Sequence, residues 1–134
     1  MDIIRQSDIP VLRNSGVESA QLLFPESAPD ARVTITRVTI PAGGVSPRHR
    51  HEASEQTWVA LAGHGTLLLG EGQTLPIHTG DVARFAPGDV HGFKNTGNEA
   101  FVYLSVTTPP LNFRQAYDTA WDTASNTSSN THTA

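Results

Sequence analysis

Two histidines one residue apart, His49 and His51, precede an adjacent glutamate and glutamine, Glu55 and Gln56, and a third histidine, His91, follows much later. On an extended strand, side chains at i and i+2 share a face with roots about 6.5–7 Å apart. His49 and His51 can therefore converge on one ion while Arg48 and Arg50 point the other way. Alone, such a pair reads more readily as a solvated polar edge, and His91 as a core or turn residue. Together, three neutral imidazoles and one oxygen donor make a coherent site for a divalent first-row metal, with positions left for water or substrate. The chain has no cysteine, which excludes disulfides, thiolate ligands and a cysteine nucleophile. Any metal must use nitrogen and oxygen donors.

The elements that would carry these residues are short. β-rich runs recur between glycine and proline turns at 32–40, 56–62, 65–69, 81–85, 91–94 and 100–108. This rhythm indicates an all-β sandwich or barrel rather than alternating βαβ units. His91 opens its run just after Pro87-Gly88 and shares a face with Phe93 and Asn95. After Pro109-Pro110 the period changes, with Phe113, Ala116, Tyr117, Ala120 and Trp121 on one helical stripe. Asn112 can cap that helix with Gln115 in the capping-box position, and the stripe is expected to pack on the barrel or a partner subunit. The expected organisation is an N-terminal arm and edge strand at 1–30, a barrel at 31–110, a helix at 111–122 and a low-complexity disordered tail at 123–134.

The joint spacing resembles a known family. Gly43-x5-His49-x-His51-x4-Gln56-x6-Gly63 is similar to the first motif of the cupins, and Gly80-x6-Pro87-Gly88-x2-His91-x3-Asn95 to the second. The resemblance, which extends loosely over about residues 30–110, implies a small jelly-roll-type β-barrel holding a metal at one end. It implies His49, His51 and His91 as ligands. The family's usual fourth ligand is glutamate, and counting back from Gly63 puts Gln56 in that position with Glu55 one residue early. Strand parity groups Gln56 with Trp58, Ala60 and Ala62, and Glu55 with Thr57, Val59 and Leu61. Either set can face a core, so Glu55 stays open as the alternative to Gln56.

The choice sets the charge of the site. Three histidines and a glutamine leave the ion's double charge uncompensated, which strengthens it as a Lewis acid and favours an anionic oxygen ligand. The expected cofactor is one divalent transition metal per chain, Zn, Mn, Fe or Ni. Three-histidine, one-glutamine sites resemble those of cupins that handle unsaturated sugar acids, cyclise polyketides or cleave cyanohydrins. The stretch Tyr103–Pro109 lacks the acid and arginine of the sugar-acid cupins. The expectation is a metal-dependent enzyme acting on a small oxygen-bearing organic substrate, of isomerase, lyase or cyclase type. The alternatives are a metal-dependent dioxygenase and a non-catalytic small-ligand-binding cupin.

Arg37 and Arg84 are candidates to clamp a substrate carboxylate if they face the cavity. Tyr103 is a candidate proton donor, or a buried hydroxyl satisfying a backbone carbonyl. His64 and His78 read as exposed loop residues, and Trp58 and Phe93 as cavity wall or core. The net charge of −4 gives no basic footprint for nucleic acid and no polybasic membrane segment. No signal-like or membrane-spanning run is visible, so a soluble, cytoplasmic protein is expected. A homodimer is expected because 21–24 offers a spare apolar strand.

Overall fold

The computed structural model describes residues 1–121 and the backbone of His132–Thr133. Ten strands lie within 1–121: β1 (Val11–Asn14), β2 (Val17–Leu23), β3 (Thr34–Ile40), β4 (Val45–Arg50), β5 (Glu55–Ala62), β6 (His64–Leu69), β7 (Thr74–His78), β8 (Val82–Phe85), β9 (His91–Lys94) and β10 (Phe101–Thr108). His132–Thr133 (β11) pairs in parallel with β4 at His49–Arg50. The sheets run β1-β2-β3-β10-β5-β8 and β11-β4-β9-β6-β7, and the fold is the all-β jelly-roll barrel expected. The 123–134 tail lies, apart from β11, outside the described residues.

Period-two alternation builds the inner wall. β3 buries Thr34, Thr36, Val38 and Ile40, β10 buries Phe101, Tyr103, Ser105 and Thr107, and β5 buries Gln56, Trp58 and Ala60. Pairing registers set these residues side by side, Thr107 against both Thr34 and Gln56, Ser105 against Thr36 and Trp58. Along β10 the inner face thus changes from aromatic at Phe101 to hydroxyl-bearing at Thr107. The apolar end is the core, where Phe93 stacks on Phe101 at 4.1 Å and Trp58 on Tyr103 at 4.0 Å. The hydroxyl end holds the cavity.

Two glycines fix the motif strands. Gly63 has φ of +80°, and a Cβ there would lie 2.5 Å from the Ala100 carbonyl oxygen, so the turn ending β5 admits no other residue without a shift. At Gly92 a Cβ would lie 2.8 Å from the Ser46 carbonyl oxygen, so its absence lets β9 close on β4 and aligns His49 with His91. Asn95 is buried beyond them. Its Nδ2 donates to the Ile40 and Glu99 carbonyls at 2.9 and 2.8 Å, and its Oδ1 accepts from Gly97 N–H at 2.9 Å.

Three expectations change in detail. Residues 21–24 offer no spare strand, because Gln21 and Leu23 pair with Thr36 and Ile35 of β3 and Gln21 is buried. β7 was not anticipated, since Pro76 interrupts an otherwise weak pattern and is tolerated only because this is an edge strand. The C-terminal helix is a single 3-10 turn, Arg114–Tyr117. Asn112 Oδ1 does accept from Arg114 N–H at 3.0 Å, but Gln115 lines the cavity instead of closing a capping box. The Tyr117 and Thr119 carbonyls, which a longer helix would use internally, are bound by the Asn14 side chain.

Candidate metal centre

β4 and β9 bring the three histidines together. His49 and His91 are direct cross-strand partners, and His51 follows immediately beyond the end of β4. Ring centroids lie 4.3 Å apart for His49 and His91, and 5.1 Å from each of these to His51. One ligand nitrogen from each falls within 4.8 Å of the others, a spacing that can hold a metal ion. Arg48 and Arg50 turn elsewhere, Arg48 Nε donating to the Leu69 carbonyl at 2.8 Å and Arg50 Nε pairing with Glu52 at 3.0 Å.

Backbone carbonyls orient two of the rings. His49 Nδ1 donates to Pro47 O and His91 Nδ1 to Asp89 O, both at 2.9 Å. Each bond keeps the proton on Nδ1 and presents Nε2 as the ligand atom. The His91 ring also stacks on Phe85 at 4.3 Å and meets Trp58 edge-on. Among the described residues, His91 Nε2 and both nitrogens of His51 are buried without a hydrogen-bond partner. Buried polar atoms are seldom left so, and one such nitrogen from each of two adjoining rings fits a missing positive partner. Burial first, and the neighbouring His49 second, lower the pKa of His51 to about 4 and of His91 to about 2. Both rings are therefore neutral, the form that binds metal, at pH 7.

Gln56 and Glu55 part ways across β5. Gln56 is buried and lines the same cavity as His49 and His51. Its Nε2 donates to Thr107 Oγ1 at 2.8 Å and its Oε1 accepts from Trp58 Nε1 at 2.7 Å. The indole is a donor only, so this bond fixes the amide orientation, and Oε1 retains a second lone pair. Glu55 faces outward, paired with Arg84 Nε at 2.6 Å. Removing this exposed pair is expected to cost at most about 1 kcal/mol. Glu55→Ala should therefore leave metal content unchanged and shift a urea midpoint only slightly; loss of metal in this variant would contradict the placement.

A cavity of ≈ 530 Å³ opens beside the histidines. Tyr103 lines it, whereas Arg37 and Arg84 are exposed on the outer face and do not. The clamp envisaged for these arginines is thus absent from this cavity, because both sit at outward parity on their strands. Trp58 and Phe93 are core residues rather than lining. His64 and His78 are exposed, at facing strand ends rather than in loops, with rings stacked at 6.0 Å. The upper wall was not expected. The stripe, expected to pack on the barrel or a partner subunit, does set Trp121 against the core, but Phe113, Ala116, Tyr117, Ala120 and Trp121 also line the cavity, as do Ser19 and Thr36. Phe113 meets His51 edge-on at 5.7 Å. The stripe itself was the signal, since an apolar face next to a ligand cluster can cover a site as readily as a core.

Residues 36–107, more than half of the chain, match the cupin domain. The chain belongs to the cupin family. It is 31% identical over 111 residues to an oxalate-binding protein of Thermotoga maritima, covering 78% of this cupin and 91% of the relative. The crystal structure of a predicted oxalate decarboxylase from Thermotoga maritima superposes with a TM-score of 0.69 at 30% identity, covering 82% of this cupin and all of that chain. Ectoine synthase from P. lautus gives 0.73 at 17% identity, covering 88% and 85%, a likeness of fold alone. Among the described residues no helix is long and apolar enough to cross a membrane.

Proposed function

We propose that this cupin is a metal-dependent enzyme in which His49, His51, His91 and Gln56 hold one divalent transition ion, Zn, Mn, Fe or Ni, for isomerase, lyase or cyclase chemistry on a small oxygen-bearing substrate. The observation that carries the reading is the pair of buried, neutral imidazoles, His51 and His91, whose orphaned nitrogens stand with His49 within reach of one ion beside the cavity. A bound ion supplies Lewis-acid polarisation of a substrate oxygen, strengthened because none of the four donors carries negative charge.

The chain's own residues do the rest. Pro47 and Asp89 carbonyls hold two rings in the ligating tautomer. Trp58 keeps Gln56 Oε1 turned toward the barrel interior. No carboxylate, lysine or arginine is found among the described lining residues, so charge on the substrate has no side-chain partner there. Burial holds the Tyr103 phenol well above its ordinary pKa and pushes Tyr117 up to about 12. Both therefore keep their protons near neutral pH and act as hydrogen-bond donors to a substrate oxygen rather than as bases.

The test compares metal-loaded, metal-depleted and Gln56→Glu protein on a panel of enolisable acids and β-dicarbonyl compounds. Turnover only with metal, lowered in Gln56→Glu while metal affinity rises, is the expected result. Equal inactivity with and without metal would remove the support for catalysis. A second reading, ligand binding without turnover, is favoured by the relative that bears the name oxalate-binding protein and by the absence of a carboxylate base from the described lining. Its signature is tight ligand retention with no product. Our reading also includes a cytoplasmic location and a homodimer, for which β1, at the edge of the six-stranded sheet, rather than 21–24 offers the strand; a monomer mass by light scattering at micromolar concentration would refute the dimer.

A further inference from the structure

The segment that walls the cavity is held by a residue far from the histidines. Asn14 is 7% exposed at the end of β1, where the chain turns through Ser15 and Gly16 at positive φ. Its Nδ2 donates to the carbonyls of Tyr117 at 3.2 Å and Thr119 at 2.7 Å. Its Oδ1 accepts from Trp121 N–H at 3.2 Å and from Ser15 Oγ at 3.0 Å. One side-chain amide, with every donor and acceptor position used, thus fixes the backbone that carries Tyr117 and Trp121. A second anchor ties the start of the segment, Thr34 Oγ1 donating to Leu111 O at 2.7 Å and accepting from Leu111 N–H at 2.9 Å.

Three properties of this space point to its occupant. Its volume, ≈ 530 Å³, lies within the range of about 300–1,000 Å³ that encloses ligands of drug size. Its aromatic surface comes from both sides, Tyr103 on the barrel wall, Phe113 beside His51, and Tyr117 with Trp121 at 5.0 Å between ring centroids. Its polar surface is uncharged and consists largely of hydroxyls, including Thr36, Ser46 and Ser105. A small dicarboxylate would leave most of this volume unfilled. A longer one would place its far carboxylate against groups that offer no positive charge, at a substantial desolvation cost.

We infer that the segment Leu111–Trp121, pinned by Asn14, is a recognition wall for a substrate whose anionic oxygen head approaches the histidine cluster and whose body is a flat, uncharged, hydroxyl- or carbonyl-bearing ring system. This deepens the proposed function and rests on it for the placement of the head. Tyr103, Tyr117 and Trp121 supply ring faces and edges for the body, and the hydroxyls read its oxygens. Asn14 acts as a positioning residue through the backbone, while Trp121 lies at the body itself.

Calorimetric titration of metal-loaded protein with 1-hydroxy-2-naphthoate and with oxalate tests the assignment, with metal content measured on every sample. The naphthoate is expected to bind at least about tenfold more tightly than oxalate. Trp121→Ala and Asn14→Ala should each weaken it by about tenfold, with oxalate affinity and bound metal unchanged. Oxalate binding as tight as the naphthoate, or naphthoate binding indifferent to Trp121→Ala, would overturn the inference. Should Asn14→Ala fail to fold, Trp121→Ala, at a partly exposed position, gives the same decision. The wall is also read without metal, by titrating metal-depleted protein with the neutral probe 2-naphthol. Weak binding lost in Trp121→Ala upholds the wall even if no ion is retained and the metal reading falls. No Trp121-dependent binding there sinks the wall.

Discussion

His91→Ala is expected to abolish stable metal retention while leaving a folded barrel. His91 is the most enclosed of the three histidines, 1% exposed, stacked on Phe85 and held by the Asp89 carbonyl, with Nε2 directed to no partner among the described residues. Losing only an outer partner of a metal-binding histidine typically costs about 10–100-fold in affinity, so losing the ligand should cost more. The structural cost is separate. Truncating a ring packed between Phe85 and Trp58 leaves a void worth roughly 2–4 kcal/mol, within reach of a domain whose total stability is typically about 5–15 kcal/mol. Competition titrations of metal-depleted protein with a chromophoric chelator, alongside urea melts, separate the two effects. Unchanged affinity in a folded His91→Ala variant would remove His91 from the ligand set.

The second large effect is a loss of stability of the metal-depleted protein in mild acid. In the folded chain His51 takes a proton only near pH 4 and His91 only near pH 2, whereas unfolded histidines titrate near pH 6.5. Between those values the unfolded state binds more protons, so stability rises with pH across the interval. It is present in full above about pH 6.5 and drains as the pH falls toward 4, through both residues, and further toward 2 through His91. Each group contributes at most about 1.4 kcal/mol per pH unit of its interval, giving a total loss on the order of several kcal/mol by pH 4. Urea midpoints measured from pH 7.5 to 4.5 should fall steadily, with a shallower slope in His51→Phe. A flat profile in the parent would mean that these rings are already solvated or already paired.

The histidine end was more legible in the sequence than the wall above it, for a physical reason. Gly63 and Gly92 admit no side chain where they stand, so each pins the register of a strand, and register decides which neighbours face inward. From Gly63 the parity of β5 follows, and with it the inward turn of Gln56 and the outward turn of Glu55. Parity alone could not assign a face to Arg37 or Arg84, because one-residue alternation gives two sets without saying which is wet. The 111–121 segment carried a helical stripe, but its backbone is claimed by Asn14, a residue about a hundred positions away in sequence. Nothing local in that stretch announces such a long-range competitor. Likewise 21–24 reads as a spare strand because its pairing with Thr36 and Ile35 of β3 runs through a register shift that no local pattern marks.

Whether three histidines and Gln56 form a metal centre is decided by metal analysis of untagged protein. The protein would be stripped, reloaded separately with Zn, Mn, Fe and Ni, gel filtered and measured by plasma mass spectrometry beside Gln56→Ala. Close to one ion per chain is expected for at least one of these metals, reduced in Gln56→Ala. A parent protein that retains none of the four would contradict it.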